Sequence, residues 1–346
     1  MNKNIRDVLI SGFQFAELAD VVFSGVFLKS QINSLNLSES IHEHVGDNEY
    51  IFAKKKKFLL KENYVIFCKT EYVKELFQIL NKQCQFKNLK LITHQSDLKI
   101  TRKLYNKKPL CISEWYSINV DTKQEGLFPI PIGIANFHSK NLNVDIFDKN
   151  LNRQNYIQNK KINLYLNFNP NTNFSHRKNL FEYFKKFNWV KLDENPISHS
   201  AYKKNLSSSK FTLAPWGNGI DTHRFWEALY AGSVPITITH PIYESFTTIP
   251  KVLVNNYEEV TKEFLETTYH KIENELNVYT LDELYINFWR EKILSKSVAS
   301  HNTESIEIIN DVNFIKSKLP DLLHIIKSRF KIINRLRRYI YKKIKL

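Results

Sequence analysis

The chain has 346 residues, a length that fits two domains of about 150 residues better than one small domain. Hydrophobic residues make up 42% and charged residues 25%, so a buried core is expected and wholesale disorder is excluded. The net charge is +15, and no apolar run reaches the roughly 18 residues that a membrane-spanning helix needs.

In the first half, short apolar runs alternate with a helical pattern. Strands are predicted at residues 7–11, 64–68, 89–93 and 110–113, because apolar runs of this length are typical of strands buried on both faces. Apolar residues at three- and four-residue spacing predict a helix over 71–82. This alternation indicates an α/β fold with a parallel sheet covered by helices.

The segment from residue 127 to 136 contains two prolines and a glycine and leads into a polar stretch. Such composition is typical of a connection between domains. We therefore expect a first α/β domain over 1–145, a second over 146–300, and C-terminal helices over 301–346.

The second half repeats the alternation of elements without repeating the sequence. Strands are predicted at 161–168, 189–192, 210–215, 234–238 and 252–254. Helices are predicted at 176–187 and 222–231, and Gly232 stands where a left-handed residue would end the second of them.

Residues 209–235 form the most distinctive stretch, with a strand, a glycine loop, a helix and a second strand. The loop follows the carboxyl end of its strand, where doubly wound sheets bind ligands. Glycines there let the backbone approach a phosphate, and the helix start adds N–H groups and a positive dipole end. An arginine in the first helical turn would clamp a diphosphate, and a carboxylate one turn later would accept hydrogen bonds from a ribose. The candidate ligand residues of this stretch are Gly217, Asn218, Gly219, Asp221, Arg224 and Glu227.

A second interpretation of this stretch is structural. The glycines would then serve a tight turn, and Asp221, Arg224 and Glu227 would form a ladder of surface ion pairs. Arg177 and Lys210 are further candidates for diphosphate contact, with solvated surface charge as the alternative.

The stretch resembles the signature of exostosin-like glycosyltransferases. The residues that carry the resemblance are Phe211, Pro215, Gly217, Asp221, Arg224, Trp226, Glu227, Ala228, Leu229, Gly232 and Pro235. Residues 91–97 and 130–136 show a looser likeness to the end of the first domain and the hinge of the same group. The resemblance implies a GT-B fold, with two facing Rossmann-like domains and the nucleotide-sugar bound mainly by the second. It also implies that Arg224 contacts the diphosphate and Glu227 the ribose.

The chain contains no Asp-x-Asp motif, with which GT-A glycosyltransferases usually hold a divalent metal. We therefore expect a reaction without metal or other cofactor, in which basic side chains and a helix N-terminus neutralise the leaving diphosphate. His94 and Asp97 follow a predicted strand and are the candidates for the catalytic base, with loop capping as the alternative. The His-Glu-His run at 42–44 has no evident third ligand and is not predicted to bind metal.

The C-terminal end concentrates the positive charge. Residues 322–346 hold nine Lys or Arg and no acidic residue. Their apolar residues recur every three or four positions, which predicts a basic amphipathic helix. Such a helix would bind an anionic membrane surface, and the alternative is a C-terminal helix packed on the first domain.

Together these features predict a cytoplasmic glycosyltransferase that is peripherally associated with the inner face of the membrane. It would move a sugar from a nucleotide-sugar to a glycan or glycolipid acceptor, as in lipopolysaccharide or capsule synthesis, and would not bind nucleic acid. One alternative is a non-catalytic protein that binds nucleic acid or anionic lipid through its basic tail. Another is a degenerate transferase that keeps the fold and has lost its base.

Overall fold

The computed structural model describes residues 9–37, 40–45, 50–135, 151–194, 196–294 and 304–310. These residues form two α/β lobes, each built on a sheet rich in parallel strands. The arrangement is consistent with a GT-B fold of two Rossmann-like domains, and the predicted fold class is confirmed.

The first lobe contains a seven-stranded sheet and a separate short strand. Its strands in chain order are β1 (Val21–Leu28), β2 (Ser40–Val45), β3 (Tyr50–Lys55), β4 (Lys57–Leu60), β5 (Val65–Lys69), β6 (Leu89–His94), β7 (Ile112–Ser117) and β8 (Leu127–Pro129). The sheet order is β2-β3-β1-β5-β6-β7-β8. Pairing is parallel from β1 to β8, and β3 runs antiparallel to both β1 and β2. The carboxyl ends of the five parallel strands therefore lie along one edge.

The helices of the first lobe are α1 (Gly12–Glu17), α2 (Val73–Gln83) and α3 (Arg102–Tyr105). Helix α2 confirms the helix predicted over 71–82, with a 3₁₀ turn at Thr70–Tyr72 before it. The described part of the strand predicted at 7–11, residues 9–11, is not a strand. Leu9 forms an isolated bridge with Tyr285, and Ser11 caps α1 by accepting a hydrogen bond from the backbone N–H of Phe13.

The second lobe contains a five-stranded parallel sheet in the order β10-β9-β11-β12-β13. Its strands are β9 (Ile162–Leu166), β10 (Val190–Leu192), β11 (Ser209–Leu213), β12 (Val234–Ile238) and β13 (Val252–Val254). Its helices are α4 (Phe174–Phe184), α5 (His199–Ser207), α6 (His223–Tyr230), α7 (Pro241–Glu244), α8 (Lys262–Asn274) and α9 (Ile286–Leu294). Gly232 follows α6 at φ +71°, which confirms the predicted left-handed residue.

One cluster of buried apolar residues spans both lobes, and a second cluster lies within the first lobe. Trp289 of α9 packs edge-on against Phe15 of the first lobe at 6.3 Å between ring centroids. The Lys90 ammonium donates to the carbonyl of Ile293 at 2.5 Å. This hydrogen bond connects α9 of the second lobe to the first lobe. The predicted domain boundary near residue 145 lies outside the described residues.

The connecting segment approaches the first lobe closely at one glycine. Gly133 has φ +66°, and a Cβ there would lie 2.1 Å from the carbonyl oxygen of Ile10. The next residue, Ile134, donates its backbone N–H to that carbonyl at 2.9 Å. Only glycine fits this position, so the connecting segment lies directly against Ile10, and its predicted role as a hinge stays a prediction.

The chain returns to the first lobe at its last described element. Strand β14 (Ile306–Ile309) pairs antiparallel with β4, so this part of the predicted helical segment 301–346 is a strand. The basic tail at 322–346 lies outside the described residues. Within the described part of the chain, no helix combines the length and the apolar character needed to cross a bilayer.

Candidate functional site

The glycine loop leaves the carboxyl end of β11 and is fixed by Arg177 of α4. The Arg177 guanidinium donates to the carbonyl of Pro215 at 2.7 Å and to that of Trp216 at 3.0 Å. A Cβ on Gly217 would lie 3.2 Å from a terminal nitrogen of the same guanidinium. The loop backbone and the cation therefore lie in contact, whereas the predicted contacts of Gly217 and Arg177 with a diphosphate stay predictions.

A second guanidinium lies near the first. Burial, together with the repulsion from Arg224, lowers the pKa of Arg177 to about 10. Arg177 is itself buried. Two cations held close together at the edge of a sheet favour the binding of an anion between or beside them, because the anion relieves their repulsion.

Arg224 lies in the first turn of α6, where it contacts Glu227 and Tyr202. Its Nη1 lies 3.1 Å from Oε2 of Glu227, one turn further along the helix. Its guanidinium carbon lies 4.5 Å from the ring centre of Tyr202 on α5, and the Tyr202 hydroxyl donates to Glu227 at 2.7 Å. Tyr202 therefore contacts the cation and the carboxylate together.

The ends of the two neighbouring strands supply the next contacts. Arg224 donates to the side-chain oxygen of Asn167, which follows β9, at 3.4 Å. The Asn167 amide donates at 2.9 Å to Asp193, which follows β10, and at 3.0 Å to the hydroxyl of Tyr165. Burial, with Asp193 as hydrogen-bond partner, raises the pKa of Tyr165. Asn167, held by Asp193 and Tyr165, therefore fixes the orientation of Arg224.

Sequence reasoning missed Asn167, Asp193 and Tyr202. Asn167 and Asp193 stand at or just after the carboxyl ends of predicted strands, and that signal was available. Tyr202 carried no signal, because its contacts with Arg224 and Glu227 join helices that are distant in sequence.

Asp221 faces the protein itself. Its buried carboxylate accepts hydrogen bonds from the backbone of Ile132 at 2.7 Å and of Thr222 at 2.9 Å, and from the indole of Trp226 at 3.0 Å. Burial raises its pKa to about 7 against the opposing effect of these hydrogen bonds. Because Ile132 belongs to the connecting segment, Asp221 ties the glycine loop to the first lobe.

Gly219 lies on the same seam. A Cβ there would lie 2.7 Å from the side-chain oxygen of Asn119, a first-lobe residue at φ +54°. That oxygen accepts the backbone N–H of Asp221 at 2.9 Å, and the Asn119 amide donates to the carbonyl of Ser96 at 3.0 Å. Gly219 thus allows a close approach between the lobes, whereas Asn218 is exposed.

Three side chains around the loop hold a buried polar group with no hydrogen-bond partner. They are the indole N–H of Trp216, the hydroxyl of Thr222 and the Nε of Arg224. A buried donor that has lost water and gained no partner is costly. All three groups lie within residues 216–224, where a ligand rich in hydrogen-bond acceptors would supply the missing partners.

The two candidate bases lie in the loop after β6. His94 is buried, and burial lowers its pKa to about 3. Its Nδ1 accepts the backbone N–H of Gln95 at 2.7 Å, so Nε2 carries the proton and donates to the carbonyl of Pro131 at 3.3 Å. Asp97 is exposed. The catalytic roles of both residues stay predictions, and the geometry of His94 suits a positioning role.

Lys210 is not brought together with the other candidates. It is the second residue of β11, near the amino end of the strand, and its ammonium lies 4.5 Å from the ring centre of Tyr269 on α8. The described residues contain no group of three or more His, Cys, Asp or Glu side chains placed to hold a metal. The side chains at 42–44 lie outside that description.

Residues 175–242 match the family model of the RXYLT1 C-terminal domain. That domain belongs to ribitol xylosyltransferase, a GT-B-like glycosyltransferase. The match spans most of α4, then α5, β11, the glycine loop, α6 and β12, so it contains the arginine pair and Glu227. It identifies the chain as a glycosyltransferase, and the predicted enzyme class is confirmed. No curated protein matches the chain. The narrower likeness to exostosin-like enzymes stays a prediction.

Proposed function

We propose that this glycosyltransferase uses a nucleotide-sugar donor and binds the donor pyrophosphate at residues 215–224. The observation that carries the proposal is the set of unpartnered buried groups at Trp216, Thr222 and Arg224 beside a second guanidinium. The oxygens of a pyrophosphate would accept hydrogen bonds from the unpartnered groups. Its negative charge would reduce the repulsion between the two guanidiniums.

The same geometry supports a reaction without a divalent metal. When the bond between the anomeric carbon and the phosphate oxygen breaks, negative charge develops on the departing nucleoside diphosphate. Arg177, Arg224 and the amino end of α6 supply positive charge there, and Glu227 is the carboxylate paired with one of the two guanidiniums.

Glu227 is proposed to bind the ribose. The Tyr202 hydroxyl and the Arg224 guanidinium hold its Oε2. A carboxylate fixed in this way accepts hydrogen bonds from two ribose hydroxyls, and Tyr202 sets its orientation.

In the proposed reaction, an acceptor hydroxyl attacks the anomeric carbon as the diphosphate leaves. The hydroxyl proton passes to a base from the first lobe, for which Asp97 is the proposed residue. His94 donates to the carbonyl of Pro131 and so holds the loop after β6 against the connecting segment. The proposed acceptor is a surface glycan or glycolipid. Xylose is one candidate sugar, because the matched domain comes from a xylosyltransferase.

A thermal-shift panel tests the donor site. It uses UDP, GDP, ADP, CMP and UDP-xylose, each with and without EDTA. A ligand at a hundred times its Kd stabilises the folded state by about 2.7 kcal/mol, so one nucleotide should raise the Tm by several degrees in both conditions. Arg224→Ala should abolish the shift, and Lys210→Ala is the matched control. Equal shifts in parent and Arg224→Ala would remove the arginine from the site.

The basic tail is proposed to hold the enzyme on the cytoplasmic face of an anionic membrane. Deleting residues 322–346 distinguishes this proposal from the alternative, a non-catalytic protein that binds its partner through the basic tail. The enzyme should keep its nucleotide affinity and lose vesicle binding. If the deletion abolished both, the tail-binding alternative would be favoured.

A further inference from the structure

Two of the three cysteines lie together in the first lobe. Cys84 is the C-cap residue of α2, and Cys111 immediately precedes β7. Both side chains pack in the apolar cluster of that lobe, and the two thiols are hydrogen-bond partners. The Cys111 carbonyl accepts the backbone N–H of Leu89, the first residue of β6, at 2.9 Å. The fold therefore places a pair of thiols at the amino ends of β6 and β7.

The two thiols differ in exposure and in hydrogen bonding. Cys84 is half-buried, whereas Cys111 is buried. The Cys84 sulfur accepts hydrogen bonds from the Cys111 thiol and from the backbone N–H of Phe86, and these lower the pKa of Cys84 against the effect of burial. The hydrogen bond to Cys84, together with burial, raises the pKa of Cys111. Because the thiolate is the nucleophilic form of cysteine, Cys84 is the more reactive member of the pair.

The surroundings distinguish this pair from the third cysteine. The Lys108 ammonium donates to the carbonyl of Ile112, and its positive charge acts on the neighbouring Cys111. A cation beside two thiols favours the ionisation of one of them. Cys68 instead lies inside the core, where its sulfur is 3.6 Å from the hydroxyl of Ser24 and burial raises its pKa. Cys68 is therefore expected to be unreactive and serves as an internal reference.

We propose that Cys84 and Cys111 are a peroxide-reactive pair that closes to a disulfide. The Cys84 thiolate attacks one oxygen of hydrogen peroxide, the O–O bond breaks, and a sulfenic acid forms. The hydroxide that departs takes a proton and becomes water. The Cys111 sulfur then attacks the Cys84 sulfur, the S–O bond breaks, and the hydroxyl group leaves as a second water with the Cys111 proton. The two sulfurs together lose two electrons, which the peroxide gains.

The pair serves as a reversible modification site. A resolving thiol beside a sulfenic acid forms the disulfide before further oxidation makes the change irreversible, and a thiol reductant restores both groups. The disulfide would join the end of α2 to the start of β7. The donor site instead lies at the carboxyl ends of strands in the second lobe, so the proposal does not depend on the proposed function.

Oxidation of the full chain with equimolar hydrogen peroxide tests the proposal. The parent should lose about 2 Da and keep one free thiol, and peptide mapping should join Cys84 to Cys111. Cys111→Ser should stop at a sulfenic acid on Cys84 that dimedone traps, and Cys84→Ser should keep both remaining thiols. Cys68→Ser is the matched control and should form the same disulfide as the parent. Dithiothreitol should reverse the change.

A second measurement uses only the parent, so it stands if a serine variant misfolds. Iodoacetamide should alkylate Cys84 in the native protein at least about tenfold faster than Cys68. Equal rates would overturn the proposal. So would a disulfide that contains Cys68, a disulfide between two copies of the chain, or three thiols left after peroxide treatment.

Two thermal measurements separate this proposal from the proposed function. The oxidised parent should melt several degrees above the reduced parent, because the disulfide closes a loop of the unfolded chain. Both forms should show the same nucleotide-induced shift. If neither form binds a nucleotide, the donor site fails while the disulfide result stands.

Discussion

Gly219→Ala tests the seam between the two lobes. Gly219 does not have a positive φ, so the backbone itself accepts alanine there. The new Cβ would lie 2.7 Å from the side-chain oxygen of Asn119, closer than Cβ atoms approach their neighbours. Asn119 must therefore move away from the methyl group.

The cost follows from what Asn119 loses when it moves. Its side chain accepts from the backbone of Asp221 at 2.9 Å and donates to the carbonyl of Ser96 at 3.0 Å. Each such hydrogen bond contributes about 0.5–1.5 kcal/mol, so Gly219→Ala should lower the free energy of unfolding by about 1–3 kcal/mol. Gly217→Ala is the control. Its Cβ would lie 3.2 Å from a nitrogen of Arg177, a longer contact than the 2.7 Å at Gly219.

A double-mutant cycle isolates this contact. Asn119→Gly removes the same two hydrogen bonds and keeps a residue that tolerates φ +54°. Because the alanine methyl then fills vacated space, the double variant should be no less stable than Asn119→Gly alone. The coupling energy should therefore be about 1–3 kcal/mol, measured by urea unfolding. Additivity within about 0.5 kcal/mol would refute the argument.

Three further predictions concern single side chains. Tyr202→Phe keeps the ring and removes the donor to Glu227, so the Kd for the nucleoside diphosphate should rise about tenfold by calorimetry; an unchanged Kd would contradict the positioning role. His94 has a pKa of about 3, below its ordinary value, so its contribution to stability is complete above pH 6.5 and is lost as the pH falls. Between pH 7 and pH 5 the free energy of unfolding should fall by about 2 kcal/mol because of His94. If the free energy of His94→Gln fell with pH as steeply as that of the parent, this prediction would be refuted. Lys210→Ala should leave the nucleotide Kd within about twofold, because Lys210 is half-buried near the amino end of β11, against Tyr269 and away from the site; a larger change would place it in the donor site.

The sequence alone predicted most of the parallel strands. Strands β5, β6, β9 and β12 were predicted from short segments rich in apolar residues, because most positions of a strand inside a parallel sheet are buried. Helix α6 was also predictable, since its apolar residues Phe225, Trp226 and Leu229 fall on one face.

The antiparallel edge of the first sheet was not predicted. Strand β2 is mostly polar, and β1 is interrupted by a serine and a glycine, so neither shows a continuous apolar run over its length. Their pairing with β3 depends on contacts between separate segments, which local composition does not report.

The glycine loop, Arg224 and Glu227 were determined by the sequence as one local unit, because a strand, a loop and a helix start lie within a single short stretch. The tertiary structure decided which neighbours this unit meets. The non-sequential strand order places the ends of β9 and β10 beside it, and so brings Asn167 and Asp193 to Arg224. The tertiary structure also made Asp221 a tie between the lobes, because the backbone N–H of Ile132, from a distant segment, donates to its carboxylate. Periodicity and loop chemistry are properties of neighbouring residues, whereas these contacts exist only after two sheets have packed on a common core.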